Sequence, residues 1–250
     1  MIRLKQLPAF LAGKALRFLL RYLVLLDRLD PRGRLAFTYL RGNGIEIGAL
    51  HRPLSCDWRK VHITYVDRKS RAELARQYPE FRQEDIMRVD RIDSGETLAT
   101  FADQSLDFVI ASHMIEHAED PVGTLDTWFR VLRPQGMLFL IVPDMRHTFD
   151  RQRAQTTPGH LFRDHEEGPE RSRQHHYLEW VACTEGGDAA ARKQRAEELA
   201  AMHYSIHFHV WTPLSFLDFL VAYHGRYPHF DIRHLEQNKK EFIVILQKTG

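Results

Sequence analysis

Three residues stand out by type and spacing: His113, Glu116 and His117, in the run HMIEH. In a helix, positions i, i+3 and i+4 share one face. Two imidazoles and a carboxylate gathered there offer two chemistries. They can hold a divalent ion of borderline softness, on which a coordinated hydroxyl loses its proton more readily. Alternatively, a histidine, with an ordinary pKa of about 6.5, takes that proton unaided as a general base. A third reading is structural, with Glu116 and His117 hydrogen-bonding the loops around them. His147, His207 and His209 are the distal candidates for a metal set. Metal-free work by the histidines is the expectation, and a divalent metal the alternative.

The elements that must position this run alternate. GIEIG (44–48), VHITYVD (61–67), IMRVD (86–90), SLDFVIAS (105–112) and GMLFLIVP (136–143) read as strands from their β-branched and aromatic content. SRAELARQY (70–78) reads as a helix opened by a capping box, Ser70 with Glu73. EDPVGTLDTWFRVL (119–132) reads as a second, with Asp120 as cap and Pro121 behind it. A short helix or turn is expected near 31–41, and TPLSFLDFLVAYH (212–224) is a further helix capped by Thr212. HFDIRHL (229–235), the turn EQNKK and EFIVILQK (241–248) read as an antiparallel hairpin. Strands alternating with helices predict a mostly parallel, doubly covered sheet.

Composition narrows the classes. The chain has 250 residues, 44% of them apolar and 27% charged, which excludes a disordered or polytopic membrane chain. A net charge of +2 gives no reason to expect DNA as a partner. Two cysteines, Cys56 and Cys183, make neither a disulfide scaffold nor a structural zinc site. The cytosol is the expected compartment. The charge is uneven, however. Residues 1–34 carry +6 and the rest −4. From Pro8 to Leu29 a narrow basic stripe (Lys14, Arg17, Arg21, Arg28) runs along a mostly apolar helical pattern. It is too short and too interrupted to span a bilayer, and it lacks a signal-peptide cleavage site. It is expected to pack on the core or on a twin subunit, or to lie on an anionic membrane surface at the inner face of the cell membrane.

The alternation of strands and helices, the terminal hairpin and the runs EIGALHRPL, YVDR, IDSGETL, DFVIASHMIEHAEDP and LRPQGMLFLIVPD together resemble class I S-adenosylmethionine-dependent methyltransferases, over about 42–144 and again over 206–248. PDMRHTFD and YSIHFHVWTP are similar to bacterial methyltransferases that accompany surface-polysaccharide assembly. The resemblance implies a Rossmann-like sheet of seven strands with an antiparallel C-terminal hairpin. It divides the chain into an N-terminal basic helical segment (1–41) and a methyltransferase domain (42–250), with a lid-like insertion at about 144–211.

The resemblance also implies site roles. Glu46 would steer the cofactor's ammonium group, Gly48 and Ala49 would let the backbone approach it, and Asp67 would accept both ribose hydroxyls. Asp93 and the backbone at Ser94 would take the adenine edge. Ser112 and His113 would border the sulfonium or the acceptor. Leu50 stands where the family has its second glycine. HMIEH is partly similar to the E-x-x-E-H run of O-methyltransferases of the ubiquinone-pathway and small-RNA 2′-O types, with His113 in place of the first glutamate. The Asn/Asp-Pro-Pro-aromatic signature of DNA amino-methyltransferases is missing after the fourth strand, which favours an oxygen acceptor.

Residues 144–211 are polar and hold eight of the fifteen histidines. Asp144 or His113 is the expected base and Arg146 an acceptor contact. Arg163, Arg171, Arg173, His175, His176, Tyr177 and Trp180 suit a saccharide or other small acceptor, with Arg and His donating to oxygens and aromatic faces stacking on sugar. Alternation predicts that His207 and His209 face the same side. The function implied is O-methylation of a sugar or sugar-linked acceptor. The alternatives are a methyltransferase-fold scaffold without turnover and a metal-dependent RNA 2′-O-methyltransferase.

Overall fold

The computed structural model describes residues 30–250; the basic stripe of Pro8–Leu29 lies outside them. Helix α1 (Pro31–Tyr39) leads into β1 (Gly42–Ile47), followed by β2 (Val61–Asp67), α2 (Arg71–Gln77), β3 (Arg91–Ile92), β4 (Leu106–Ser112), α3 (Pro121–Val131) and β5 (Leu132–Pro143). Three helices then fill the segment between β5 and the next framework helix: α4 (Pro158–Glu167), α5 (Glu170–Thr184) and α6 (Ala189–Ala201). Helix α7 (Pro213–Arg226), β6 (Phe230–Asn238) and β7 (Glu241–Lys248) close the chain.

The seven strands run in the order β3-β2-β1-β4-β5-β7-β6. The first five are parallel, and β7 pairs antiparallel with both β5 and β6. This is the mostly parallel seven-stranded sheet with a terminal hairpin that the strand pattern predicts. The period of two along each strand divides the core cleanly. Val109 and Ala111 of β4, Leu138, Leu140 and Val142 of β5, and Val244 and Leu246 of β7 join α3 and α7 on one face. Phe108 and Ile110, Phe139 and Ile141, and Ile243 and Ile245 meet Leu35, Ala36 and Leu40 of the α1 region on the other.

Caps fix where the helices start. Ser70 and Glu73 form the capping box of α2, the Gly123 amide donates to Asp120 at 2.9 Å at α3, and the Ser215 amide donates to Thr212 at 3.2 Å at α7. The third strand departs from expectation. Residues 86–90 are not a strand, and only Arg91–Ile92 pair with β2. Residues 83–85 form a tight turn instead, and the Asp90 side chain takes the Tyr65 amide at 3.0 Å, replacing a ladder bond. The β6–β7 turn is also tighter than EQNKK, because Asn238 already pairs with Glu241. The segment between β5 and α7 has its own small core: Tyr177 and Val181 of α5, Ala196 and Leu199 of α6, with Ile206 and Phe208. No helix among the described residues is long and apolar enough to cross a membrane.

Candidate active site

Open parallel sheets bind ligands outside the carboxyl ends of their strands. Here a cavity of about 510 Å³ lies against the ends of β1, β2 and β4. Gly48, Leu50, Asp67, Ser94, Ser112 and His113 line it from the sheet side, with His117, Tyr204 and Ser205 opposite. Gly48 sits at φ +66, and a Cβ built there would meet nothing within 4 Å, so the glycine leaves its space to the cavity. Leu50 keeps the left-handed conformation of a glycine at φ +45 although it is not one. Asp67 accepts from the Lys69 amide at 3.3 Å. Burial, only partly offset by that amide, pushes its carboxyl above the usual range.

The other cofactor candidates divide. Ser94 lines the cavity, but Asp93 does not. Both Asp93 oxygens hold its own loop, accepting from the amides of Ser94, Ala99 and Thr100 and from the Thr100 hydroxyl at 2.6 Å. Its place at the strand end suggested an adenine contact, yet the loop takes every acceptor. Ala49 is likewise not among the lining residues, and its carbonyl closes the turn to the Arg52 amide at 2.9 Å. Residues that strand reasoning missed are Gly95, Glu96, Met114, Tyr204 and Ser205. The only signal for the last two was the run YSIHFHVWTP.

A second cavity of about 350 Å³ shares Ser112 with the first. Arg32, Glu46, His51, Arg52 and Ser55 line it. Glu46 therefore faces this neighbouring space. One of its oxygens accepts the Leu54 amide at 2.8 Å, and the other is buried without a partner. Burial pushes its pKa up to about 7.

The HMIEH run is not a turn of α-helix. His113 takes φ +51, its amide donates to the Ile141 carbonyl at 2.8 Å, and residues 115–117 form a tighter single turn. The three side chains separate as a result. His113 lies between two carboxylates: its Nε2–H donates to Glu241 at 2.9 Å, and its Nδ1 is 3.5 Å from Glu116. Burial opposes its charge, but the Glu241 bond and the Glu116 charge outweigh it and raise the pKa above 6.5. Glu241 is in turn held by Arg32, at 2.6 Å through Nε, and by Asn238 at 2.8 Å. Its bonds with His113 and Arg32 hold its pKa at about 2 against burial.

His117 points the other way, toward the insertion. Its Nδ1–H donates to the Ile206 carbonyl at 2.8 Å, and burial lowers its pKa. His207 donates through Nδ1 to Asp150 at 2.7 Å. Ligand atoms of Glu116, His117 and His207 lie within 4.8 Å of one another, and both Glu116 oxygens are buried without partners. With each Nδ1 occupied, the Nε2 lone pairs of the two histidines are the ones left for an ion. The set that could hold a metal is thus Glu116, His117 and His207, with His113 outside it. His209, predicted on the same side as His207, joins another group (His160, Asp164 and His176), because residues 203–210 form no strand and the alternation does not apply.

Asp144 and Arg146 line neither cavity. The Arg146 side chain chelates the buried Asp144 carboxylate, with Nε at 2.9 Å. Burial would raise the Asp144 pKa, but Arg146 holds it below the usual range. A base paired with its own arginine away from the cavity has no proton to reach, and His113 is better placed. Several insertion residues expected at an acceptor are engaged by the protein itself. Arg173 ties the insertion to Glu119, before α3, at 2.8 Å, Arg171 pairs with Glu167 at 2.5 Å, and His176 and Tyr177 are buried.

Residues 42–140 match the family model described as a methyltransferase domain. A Pyrococcus horikoshii protein structure shares 15% identity over 91% of this chain and 91% of its own, at a TM-score of 0.50. A Methanosarcina mazei S-adenosylmethionine-dependent methyltransferase shares 18% identity over 88% of this chain and 99% of its own, at a TM-score of 0.48. No curated protein matches the sequence. The matched segment carries β1 to most of β5, so the part of the sheet that borders the larger cavity is that of a methyltransferase domain, in a Rossmann-like sheet order.

Proposed function

We propose that the chain transfers the methyl group of S-adenosylmethionine to a hydroxyl of a sugar or sugar-linked acceptor. The observation that carries this reading is the meeting of the two cavities at Ser112. The larger one, with Asp67 toward the ribose, is assigned to the cofactor. The smaller one, lined by arginine, histidine, serine and the free oxygen of Glu46, suits a hydroxyl-rich acceptor. An acceptor oxygen beside Ser112 attacks the methyl carbon in line with sulfur. The C–O bond forms, the C–S bond breaks, and S-adenosylhomocysteine leaves.

His113 is assigned as the base. With its Nε2–H on Glu241, Nδ1 carries the lone pair that takes the hydroxyl proton, and the imidazolium then lies between Glu241 and Glu116. Arg32 and Asn238 fix Glu241, so the ring is held before substrate arrives. Holding the reactants in line can supply about 7–11 kcal/mol of the barrier reduction.

A second reading rests on the partnerless oxygens of Glu116. A divalent ion on Glu116, His117 and His207 would bind the acceptor hydroxyl and lower its pKa. A chelator that stops turnover without weakening cofactor binding would favour it. The basic segment 1–29 would hold the enzyme to an anionic membrane surface or to a second copy. Its deletion should reduce liposome binding or solution mass, and a change in neither would sink both roles.

The deciding experiment uses S-adenosylmethionine labelled in the methyl group. It is offered with free and lipid-linked saccharides, small amines and short RNA, and the methylated atom is located by NMR. Label on a sugar oxygen supports the proposal. Label on nitrogen or RNA alone overturns the acceptor class. Tight cofactor binding with no transfer to any of them favours the scaffold.

A further inference from the structure

Away from both cavities, the insertion gathers three histidines and an aspartate. His160 and Asp164 lie one turn apart on α4, His176 is on α5, and His209 is on the segment returning to the sheet. One ligand atom from each lies within 4.8 Å of every other. His160 Nε2 is 3.1 Å from His176 Nε2 and 3.2 Å from Asp164 Oδ2, which is 3.7 Å from His176 Nε2. We propose that these four residues form a closed binding site for one divalent transition-metal ion, Zn2+ by its donor set, which staples the insertion together.

The proton count supports an ion. Two imidazole Nε2 atoms and a carboxylate oxygen converge, and one proton on His160 can serve only one of its two neighbours. Asp164 Oδ2 and His209 Nδ1 stay buried without any hydrogen-bond partner. His209 is fully buried, and its Nε2–H is directed to the Glu119 carbonyl at 3.3 Å, so Nδ1 is its free lone pair. That is the outer-shell bond that metal-bound histidines ordinarily make.

The spacing also fits. Zinc–nitrogen bonds of about 2.0–2.1 Å place the ligand atoms of a tetrahedron about 3.4 Å apart, within the 3.1–3.7 Å that separate His160, Asp164 and His176, with the His209 atom within 4.8 Å of each. Three imidazoles and a carboxylate suit Zn2+ better than Mg2+ or Ca2+, which take oxygen sets. A cavity of about 180 Å³ opens onto His160 and Asp164 and gives the ion a way in. Four protein ligands leave no open position, so the role is structural. The ion would tie α4, α5 and the return segment to one point, and that same segment carries Tyr204 and Ser205 of the larger cavity.

The full chain, purified without a metal-binding tag and stripped with chelator, would be titrated with Co2+ and then Zn2+. Cofactor binding by calorimetry reports that each sample is folded. One equivalent of Co2+ should give the intense visible absorption of a four-coordinate ion, displaced by one equivalent of Zn2+, with a rise in melting temperature. His176→Gln and His160→Gln should weaken binding on the order of 100-fold or more, whereas His207→Gln should keep the cobalt spectrum. If His176→Gln fails to fold, His160→Gln decides, because that side chain is the most exposed of the four. A folded wild type without the four-coordinate spectrum overturns the proposal. So does a spectrum that survives in His160→Gln, or one lost in His207→Gln instead.

Discussion

At the ends of β1, β2 and β4, the groups facing the larger cavity stand where strand register puts them. Gly48 and Asp67 each come one step past, or at the last position of, a parallel strand, and backbone ladders fix their height. Gly48 offers only backbone, and the Asp67 carboxylate accepts only from its own neighbouring backbone. The insertion is built in the opposite way. Its backbone makes helices and no strand of the sheet, and buried side chains do much of the work of joining its segments. Arg153 donates to Asp150 at 3.0 Å, to the carbonyls of His207 and Phe208 at 2.7 and 3.0 Å, and to Glu179 at 3.3 Å. His207 donates to the same Asp150. Sites positioned by ladders can leave their ligand groups free, whereas sites positioned by polar networks are only as strong as each buried pair. Mutations should therefore separate binding from stability in the first region and couple them in the second.

The largest effect expected is from Arg153→Met. Arg153 and Asp150 are both almost fully buried, and His207 and Arg153 keep Asp150 ionised against its burial. Removing one partner leaves a buried charge uncompensated, at about 3–5 kcal/mol. Hydrogen exchange should show α4–α6 opening while β4 and β5 stay protected. A loss under about 1 kcal/mol would mean that the apolar cluster around Tyr177 holds the insertion, and the contrast would fail.

Asp67→Ala should do the reverse. Its carboxylate accepts from the neighbouring backbone, with the Lys69 amide at a long 3.3 Å. Losing a carboxylate that accepts hydroxyls should weaken S-adenosylmethionine binding about 100-fold, or about 2.7 kcal/mol, by calorimetry. The unfolding midpoint should hardly move. Equal losses of affinity and stability would place Asp67 in the framework instead of the site.

The same contrast explains what could be read from the sequence. The sheet order, the hairpin, and the places of Asp67, Ser112 and His113 follow from strand periodicity and strand ends, which are local. IMRVD misled because side-chain capping by Asp90 replaced a ladder bond, and hydrophobic pattern does not register that. The HMIEH face dissolved because His113 adopts positive φ, which residue type does not foretell. Asp93 had the right position but its acceptors were taken by Thr100 and neighbouring amides. The clusters around His207 and His209 draw on residues far apart along the chain, and no spacing rule announces them.

Glu241 joins the two modes, since it sits on the first position of β7 yet acts through His113. Because the folded pKa of His113 is raised, its proton adds stability below the unfolded value, and this is lost as pH rises through the folded one. Activity runs the other way, since only neutral His113 can accept a proton. The acid limb of kcat should lie above pH 6.5, near the raised value. Glu241→Gln removes the bond that raises it. The limb should move to lower pH and the plateau should fall roughly tenfold, with KM for the cofactor unchanged. An unmoved limb would take the base away from His113.

The smallest effect tests the departure from the family pattern at Leu50. A leucine at φ +45 carries a backbone cost of about 1–2 kcal/mol. Leu50→Gly relieves that cost but adds freedom to the unfolded chain, worth about 0.5–1 kcal/mol in the other direction. The net gain in stability by chemical denaturation should be about 0.5–1 kcal/mol. Leu50 also lines the cofactor cavity, so the glycine gives up apolar contact there, and cofactor affinity should fall slightly as stability rises. Opposite signs from one residue are what a ladder-positioned loop allows, because its path is set by the bonds Leu50 O–Met87 N and Gly48 N–Val66 O and not by the side chain. If Leu50→Gly lost stability, the leucine side chain would be holding the loop in place, and the cofactor side would be built more like the insertion than its strand ends suggest.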